Sequence, residues 1–207
     1  IDTNDLHIVG EEYLNIHHHL MALPGQQIAH IKEVWSHPMA LLQCKEFFKK
    51  HPHIKLVEDV DTAEVAKRIA KENLVGIAAI APKIAAEIFD LEVLEDEIQT
   101  MKDNATRFVI VQTQEPTHGS DHVNKASLKF QLNHKRGSLA AILNVLSDCK
   151  MNLTKIQSLP VIEMPWKYSF FVDVTFEDYK DYLKLVKIIE IMAEEFKILG
   201  TYKNGRK

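Results

Sequence analysis

Apolar and polar positions in the first 112 residues predict strands and helices that alternate along the chain. Residues 74–80 are almost continuously apolar, which is typical of a strand buried on both faces of a parallel sheet. Such alternation implies an α/β fold with a doubly wound parallel sheet, which binds ligands beyond the carboxyl ends of its strands. The predicted order is strand 31–35, helix 39–50, strand 54–60, helix 62–71, strand 74–80, helix 83–89, strand 91–94 and strand 104–111.

A second pattern begins after a polar segment that carries Pro116 and Gly119 and predicts a linker over 113–126. The pattern predicts a strand-helix-strand-strand-helix-strand order, βαββαβ, which is the ferredoxin-like split unit. The sequence therefore predicts two domains, 1–112 and 127–207. Within the second domain the predicted elements are strand 127–132, helix 137–151, strands 153–162 and 168–176, helix 178–196 and strand 198–202.

Composition excludes several classes of protein. The 207 residues are 46% hydrophobic and 26% charged, as in ordinary globular domains. A net charge of -4 gives no basic footprint for nucleic acid, and no apolar run approaches the roughly 20 residues that span a bilayer. Cys44 and Cys149 fall in different predicted helices, which favours a reduced, cytoplasmic setting over a disulfide framework.

Three consecutive histidines, His17, His18 and His19, invite comparison with a metal site. Neighbouring residues of a strand point to opposite faces, so the three rings cannot all bind one ion. No cysteine or carboxylate pair follows at ligand spacing. We therefore expect a partly exposed strand end and no metal.

Candidate chemistry begins at Asn104, where a polar cluster precedes the apolar run 109–111. An arginine binds a carboxylate through two parallel hydrogen bonds, so Arg107 could hold an anionic substrate. The hydroxyl of Thr106 could donate to a leaving oxygen, and Phe108 could wall a pocket. The residue types alone equally allow an arginine that caps a strand end beside a solvated threonine.

Two strand-to-helix junctions add polar groups that the predicted sheet would bring to the same cleft. Ser36 and His37 stand at the first junction, with Ser36 as the predicted helix cap. Thr62 and Ala63 stand at the second. His37 taken alone could also be a buried structural histidine.

These motifs resemble those of prephenate dehydratases. Asn104-x-Thr106-Arg107-Phe108 is similar to that family's Asn-x-Thr-Arg-Phe signature, and Ser36-His37-Pro38-x-Ala40-Leu41 with Gln43-Cys44 is similar to its Ser-His-Pro segment. The resemblance implies a lobe like type II periplasmic binding proteins and dehydration with decarboxylation of prephenate to phenylpyruvate, without a cofactor. It assigns catalysis to Thr106, Arg107 and Phe108, and substrate binding to Asn104, Ser36, His37, Thr62 and Ala63.

The second domain resembles the amino-acid-sensing ACT domain of those enzymes. The similar segments are Gly137-Ser138-Leu139-Ala140 and Gln157-Ser158-Leu159-Pro160. The resemblance implies a homodimer or homotetramer in which phenylalanine, bound by these residues, inhibits the enzyme. Gln157 and Leu159 stand where the family has Glu and Arg, so the response to the amino acid could differ. A ferredoxin-like domain without a ligand is the alternative.

The resemblance also has departures. The family's Gly-rich opening and its Glu-Asn-Ser-x-x-Gly segment are absent from this sequence, so 1–112 is expected to be part of a catalytic domain. Met39 stands where the family usually has Gln. Two alternative functions stay open: an arogenate dehydratase, whose substrate carries an amine in place of a ketone, and a catalytically silent amino-acid-binding protein.

Overall fold

The computed structural model describes residues 4, 6–114, 123–133, 135–162, 164 and 166–206. It divides into a terminal unit, built from 1–13 and 107–207, and a central unit, built from 14–106. Strands β1 (His7–Asn15) and β7 (Ala105–Gln112) pair with each other as a two-stranded sheet. In chain order the elements are β1 (His7–Asn15), β2 (His19–Ala22), a 3-10 turn (Ile28–His30), β3 (Glu33–Ser36), α1 (Pro38–Gln43), α2 (Lys45–Phe48), β4 (Lys55–Glu58), α3 (Thr62–Glu72), β5 (Ile77–Ala81), α4 (Lys83–Phe89), β6 (Glu92–Glu95), β7 (Ala105–Gln112), β8 (Lys125–Gln131), α5 (Ser138–Asp148), β9 (Asn152–Pro160), β10 (Tyr168–Thr175), α6 (Tyr179–Met192) and β11 (Glu195–Tyr202).

The central unit contains a five-stranded sheet in the order β4-β3-β5-β2-β6. Strand β3 is parallel to β4 and β5, but β2 is antiparallel to both of its neighbours. The prediction of a wholly parallel sheet is therefore wrong for β2. Strand β3 follows β2 after a segment that holds only a 3-10 turn, which is too short for the crossover that would return the chain in the same direction.

Helices cover both faces of this sheet, as a doubly wound arrangement requires. Alternate residues of β5 face opposite ways: Ala78 and Ile80 join the core under α1 and α2, whereas Ala79 and Ala81 join the core under α3 and α4. The single helix predicted over 39–50 is two short helices. They meet at the fully buried Cys44, whose φ of -100° and ψ of 8° interrupt the helix.

The terminal unit contains a four-stranded antiparallel sheet in the order β11-β8-β10-β9. The predicted βαββαβ succession is present as β8-α5-β9-β10-α6-β11. Helices α5 and α6 pack on one face of the sheet. Their core contains Leu128 and Phe130 of β8, Ile142 of α5, and Leu185 and Ile189 of α6.

On the other face of this sheet, strand β8 is buried although its side chains there are polar. Lys125, Ser127, Lys129 and Gln131 alternate along β8 and are each at most 8% exposed. Strand β1 covers part of this face, where Ile8 packs on Leu199 and Tyr202. The approach is so close that a Cβ on Gly200 would lie 2.0 Å from the carbonyl oxygen of Ile8.

This packing explains why the units differ from the predicted domains. The predicted first domain was 1–112, but 1–13 and 107–112 belong with the four-stranded sheet. Most of the predicted linker 113–126, from 115 to 122, lies outside the described residues. Across the described parts of the chain, none of the helices has the length and apolar character needed to cross a membrane.

Candidate active site

A cavity of about 290 Å³ opens in the central unit, where polar groups from several elements meet. The starts of α1 and α3 contribute to it, and both helices follow the carboxyl end of a strand, β3 and β4. This is the edge at which α/β sheets bind ligands. The lining residues are Ile16, His18, His37, Met39, Ala40, Gln43, Asp61, Thr62, Asn104 and Thr106.

His37 caps helix α1. Its Nδ1 accepts a hydrogen bond from the Met39 N–H at 3.2 Å. The neutral ring therefore carries its proton on Nε2, which is left to donate into the cavity. Ser36, the predicted cap, instead is fully buried, and its hydroxyl donates to the Ile80 carbonyl at 2.9 Å. Ser36 ties β3 to β5 and does not line the cavity.

Asp61 caps helix α3 at the second junction. Its carboxylate accepts from the N–H groups of Ala63 at 2.8 Å and Glu64 at 3.0 Å. Thr62 lines the cavity as predicted from the junction. Ala63 does not line it, and its N–H is used by the cap, so it has no donor left for a ligand.

A chain of three polar side chains supports the cavity from within. The Gln43 Oε1 accepts from His18 Nε2 at 2.7 Å and from Asn104 Nδ2 at 3.2 Å. The Asn104 carbonyl accepts from the Ile16 N–H at 2.7 Å. Since His18 donates through Nε2, its Nδ1 is the acceptor nitrogen, and that atom is buried without a hydrogen-bond partner among the described residues.

Sequence reasoning did not assign His18 or Gln43 to the site. Gln43 stands in the Ser-His-Pro segment, so its motif could have indicated it. The histidine triplet gave no signal that distinguishes His18 from His17 and His19. The other two histidines have separate partners: His17 lies 3.3 Å from Glu97, and His19 lies 2.9 Å from Asp96. Within the described ranges, no three His, Cys, Asp or Glu side chains are grouped closely enough to hold a metal ion.

Thr106 and Arg107 were expected in the same site, but the structure gives them different surroundings. Thr106 lines the cavity of the central unit. The guanidinium of Arg107 lies in the terminal unit, where it donates to Glu11 at 2.5 Å, to Asp173, and to the Tyr202 hydroxyl at 2.7 Å. Neighbouring strand residues point to opposite faces, which accounts for the separation.

Arg107 belongs to a buried group of charges that we call the charge cluster: Glu11, Arg107, Lys125 and Asp173. Lys125 Nζ lies 2.9 Å from both carboxylate oxygens of Glu11, whose side chain is fully buried. Two cations face two anions, so the charges balance. Because every member is paired, the cluster avoids the cost of an unpaired buried charge.

Two hydroxyls extend the cluster. The Ser127 hydroxyl donates to Asp173 at 2.5 Å and lies 2.7 Å from the hydroxyl of Tyr202, which then donates to it. Burial raises the pKa of Tyr202 to about 12, so the phenol keeps its proton. Burial also favours a raised pKa for Glu11, but the hydrogen bonds from Lys125 and the Gly205 N–H, with the charge of Arg107, outweigh it and leave the pKa below its usual 4.5.

Phe108, the third member of the predicted catalytic motif, is 53% exposed. It is not among the residues that line the cavity. An aromatic ring this exposed does not wall the cavity of the central unit, so the expected role of Phe108 has no geometric support in the described residues.

The residues expected to bind an effector lie in two places in the terminal unit. Gly137 caps α5 with a φ of +85°, and Ser138 and Leu139 line a cavity of about 110 Å³ beside Trp166 and Tyr168. Ala140 does not line that cavity. On β9, Gln157 and Leu159 line a different cavity, and Ser158 and Pro160 alternate with them along the strand.

Comparison with known proteins shows which family the chain belongs to. Taken together, the helix-covered mixed sheet and the βαββαβ unit define a two-part α/β protein. The family model named "Prephenate dehydratase" matches residues 1–116. The chain belongs to the prephenate dehydratase family.

Individual relatives agree with this assignment. A prephenate dehydratase of Methanocaldococcus jannaschii is 35% identical over 205 residues, which cover 98% of this chain and 73% of the relative. An arogenate dehydratase/prephenate dehydratase of Arabidopsis thaliana is 38% identical over 192 residues, covering 93% of this chain and 49% of the relative. The chain spans about half the length of several of the curated relatives it matches.

A solved structure shares the same fold. Prephenate dehydratase of Arthrobacter aurescens in complex with L-Phe superposes with a TM-score of 0.82 at 25% identity, covering 97% of this chain and 67% of that one. The likeness spans both units of the present chain. It supports a mixed α/β fold with several sheets.

The pKa of Glu11 predicts how stability depends on pH. Its folded pKa lies below 4.5, so its contribution is complete above pH 4.5 and is lost as the pH falls through the folded value. Glu11→Gln should lower the free energy of unfolding at pH 7 by about 3 kcal/mol, because it leaves buried cations unpaired. The variant should also lose less stability between neutral and acid pH. Denaturant unfolding at several pH values measures both effects.

Glu12→Gln is the matched control, since Glu12 is exposed on the same strand. It should change the free energy of unfolding by less than about 0.5 kcal/mol. Equal stability and equal pH dependence of Glu11→Gln and the parent would contradict the assigned role of Glu11.

Proposed function

We propose that this protein is a prephenate dehydratase, which converts prephenate to phenylpyruvate, carbon dioxide and water in phenylalanine biosynthesis. One observation carries the proposal. The cavity of the central unit brings together Asn104 and Thr106 of one family motif with His37 of the other. Membership of the family supports the same reaction. The enzyme is proposed to be cytoplasmic and to need no cofactor.

The protein needs to contribute little covalent chemistry to this reaction. Loss of carbon dioxide leaves an electron pair that expels the ring hydroxyl, and the ring becomes aromatic. The departing hydroxide needs one proton to become water. The protein therefore has to position the substrate and stabilise that leaving oxygen, which are the contributions of orientation and of fixed hydrogen-bond donors.

Thr106 is proposed to donate a hydrogen bond to the leaving hydroxyl. A threonine hydroxyl is a weak acid, so hydrogen bonding is chemically safer than full proton transfer. His37 is proposed to give the leaving oxygen a second hydrogen bond, because its Nδ1 accepts from Met39 and its Nε2 is the position that carries the proton. The neutral ring keeps that proton, since losing it would leave an imidazolate; the proton that completes the leaving water is proposed to come from solvent.

Asn104 and Thr62 are proposed to bind the substrate's carboxylates. The Asn104 amide has two N–H groups, and the chain through Gln43 to His18 uses one and fixes the orientation of the other. We propose that Arg107 acts at a distance, by holding strand β7 within the charge cluster, and not by touching the substrate. Its guanidinium already has three protein partners.

We also propose that the βαββαβ unit is an ACT domain that binds phenylalanine. The Arthrobacter aurescens relative is described as a complex with L-Phe. In this chain Gly137 and Ser138 begin a helix beside a small cavity whose walls include Trp166 and Tyr168. Backbone N–H groups at the helix start suit a carboxylate. Because about 110 Å³ is less than the ~150 Å³ that holds benzene, a phenyl ring is proposed to lie partly in this cavity, against its aromatic walls.

Association of copies is part of the proposal. Strand β9 forms one edge of the four-stranded sheet, and an unpaired edge favours pairing with another chain. Exposed apolar side chains such as Ile156 and Ile162 lie on or next to this strand. A homodimer or homotetramer is proposed, with the terminal units contributing.

Arogenate dehydration is the second candidate, because the Arabidopsis thaliana relative carries both activities in its name. Arogenate differs from prephenate by an amine in place of a ketone. Comparing kcat/KM for the two substrates decides between them. Turnover of neither, with phenylalanine still bound, would instead support a silent amino-acid-binding protein.

Thr106→Val should lower kcat for prephenate by about 100-fold or more, because it removes the hydroxyl and keeps the shape of the side chain. Thr106→Ser, which keeps the hydroxyl, is the matched control and should retain most of the activity. The rates are measured as phenylpyruvate formation by the full-length enzyme. A kcat of Thr106→Val within about threefold of the parent, a barrier change of only ~0.6 kcal/mol, would remove Thr106 from the mechanism.

Gly137→Val should abolish or weaken phenylalanine binding by at least about tenfold, since valine blocks the backbone and does not accept a φ of +85°. Gly25→Val is the matched control: Gly25 has a φ of +81° with equally open surroundings, but lies in the central unit. Calorimetry with phenylalanine measures the affinity. No binding by the parent would refute the sensing role, and equal binding by Gly137→Val would remove Gly137 from the site.

A further inference from the structure

A second cavity of about 290 Å³ lies in the terminal unit, apart from the one beside α5. Its body is apolar. That volume is about twice the ~150 Å³ of an engineered cavity that holds benzene, so it has room for an aromatic ring with a short side chain. The apolar side chains that line it are Ile8, Val109, Leu128, Leu159, Phe171, Val172 and Leu199.

One end of this cavity is polar and borders the charge cluster. Arg107, Ser127 and Asp173 line it. Arg107 pairs with Asp173 and Glu11, and Lys125 pairs with Glu11, so the four charges compensate one another. The cluster itself therefore leaves no net charge for a ligand to balance.

Lys155 adds a positive charge that the charge cluster does not compensate. It lines the cavity from β9, where it is exposed, and its ammonium has no ion pair or hydrogen bond with any residue that the structure describes. The amide of Gln157, on the same face of β9, is likewise without a partner in the described part of the chain. The cavity thus offers one uncompensated cation and one neutral hydrogen-bonding group beside an apolar wall.

We propose that this cavity is a binding site for a small monocarboxylate with an apolar, ring-sized body. The carboxylate would pair with Lys155 and accept from the Gln157 amide, while the body would pack against Leu159 and Phe171. Arg107 has five N–H groups and uses three, so it can add a donor at the polar end.

The same charges disfavour a free ammonium group. Asp173 is the only anion that lines the cavity among the described residues, and both of its carboxylate oxygens already accept, one from Ser127 and one from Arg107. A zwitterionic amino acid would place its ammonium beside Lys155 and Arg107. The site therefore selects a carboxylic acid or a 2-oxo acid over the corresponding amino acid.

The probe is 3-phenylpropionate, titrated by calorimetry into the protein, with 3-phenylpropionamide and 2-phenylethylamine as the neutral and cationic analogues. We expect saturable binding of the carboxylate, with both analogues at least about tenfold weaker. Lys155→Met should weaken the carboxylate by at least about tenfold, and Lys155→Arg should restore most of the binding. Lys187→Met, an exposed lysine on α6, is the matched control and should bind as the parent does.

Several results would overturn the inference. No saturable binding of 3-phenylpropionate by the parent would do so, as would equal binding by Lys155→Met or comparable binding of the amine. Loss of the carboxylate's binding in Gly137→Val, with Lys155→Met unaffected, would place the ligand beside α5 instead. The titration needs no turnover, so its outcome is independent of whether the protein dehydrates prephenate.

Discussion

The charge cluster is the interaction on which the terminal unit depends. Glu11 reaches it from β1, Arg107 from β7, and Lys125 and Asp173 from the four-stranded sheet. Burying four charges is favourable only when each has a partner, and removing one partner of such a group costs about 3–5 kcal/mol. The cluster therefore fixes which residues of β1 and β7 face the sheet. The close approach of Gly200 to Ile8 depends on the same placement.

Strand geometry places adjacent residues of β7 in different surroundings. Thr106 and Arg107 are neighbours in one strand, so their side chains point to opposite faces. One lines the cavity of the central unit and the other joins the cluster. The motif read as a unit assigns both residues to the substrate, whereas the structure gives the two side chains different surroundings. The role proposed for the arginine is therefore to fix the strand that carries the threonine.

Local patterns predicted much of the fold from the sequence. Helix 83–89 was predicted with its observed bounds, and the βαββαβ succession was predicted in full, because both depend on apolar spacing near in sequence. The direction of β2 and the membership of 1–13 in the terminal unit depend on pairings far apart in sequence, which periodicity does not encode. For the same reason the partner of Arg107 and the bond from His18 to Gln43 were not foreseen. His37, Thr62, Asn104 and Thr106, which line the cavity of the central unit, each stand at a strand or helix end; position alone left their role open, and the resemblance to the family singled them out.

A double-mutant cycle on Arg107 and Asp173 tests most directly whether the arginine belongs to the cluster. The free energy of unfolding is measured for the parent, Arg107→Met, Asp173→Asn and the double variant. Because the two side chains are paired and largely buried, the losses should be non-additive by at least about 1.5 kcal/mol. Additivity within about 0.5 kcal/mol would contradict the coupling of Arg107 and Asp173, and with it the assignment of Arg107 to the cluster.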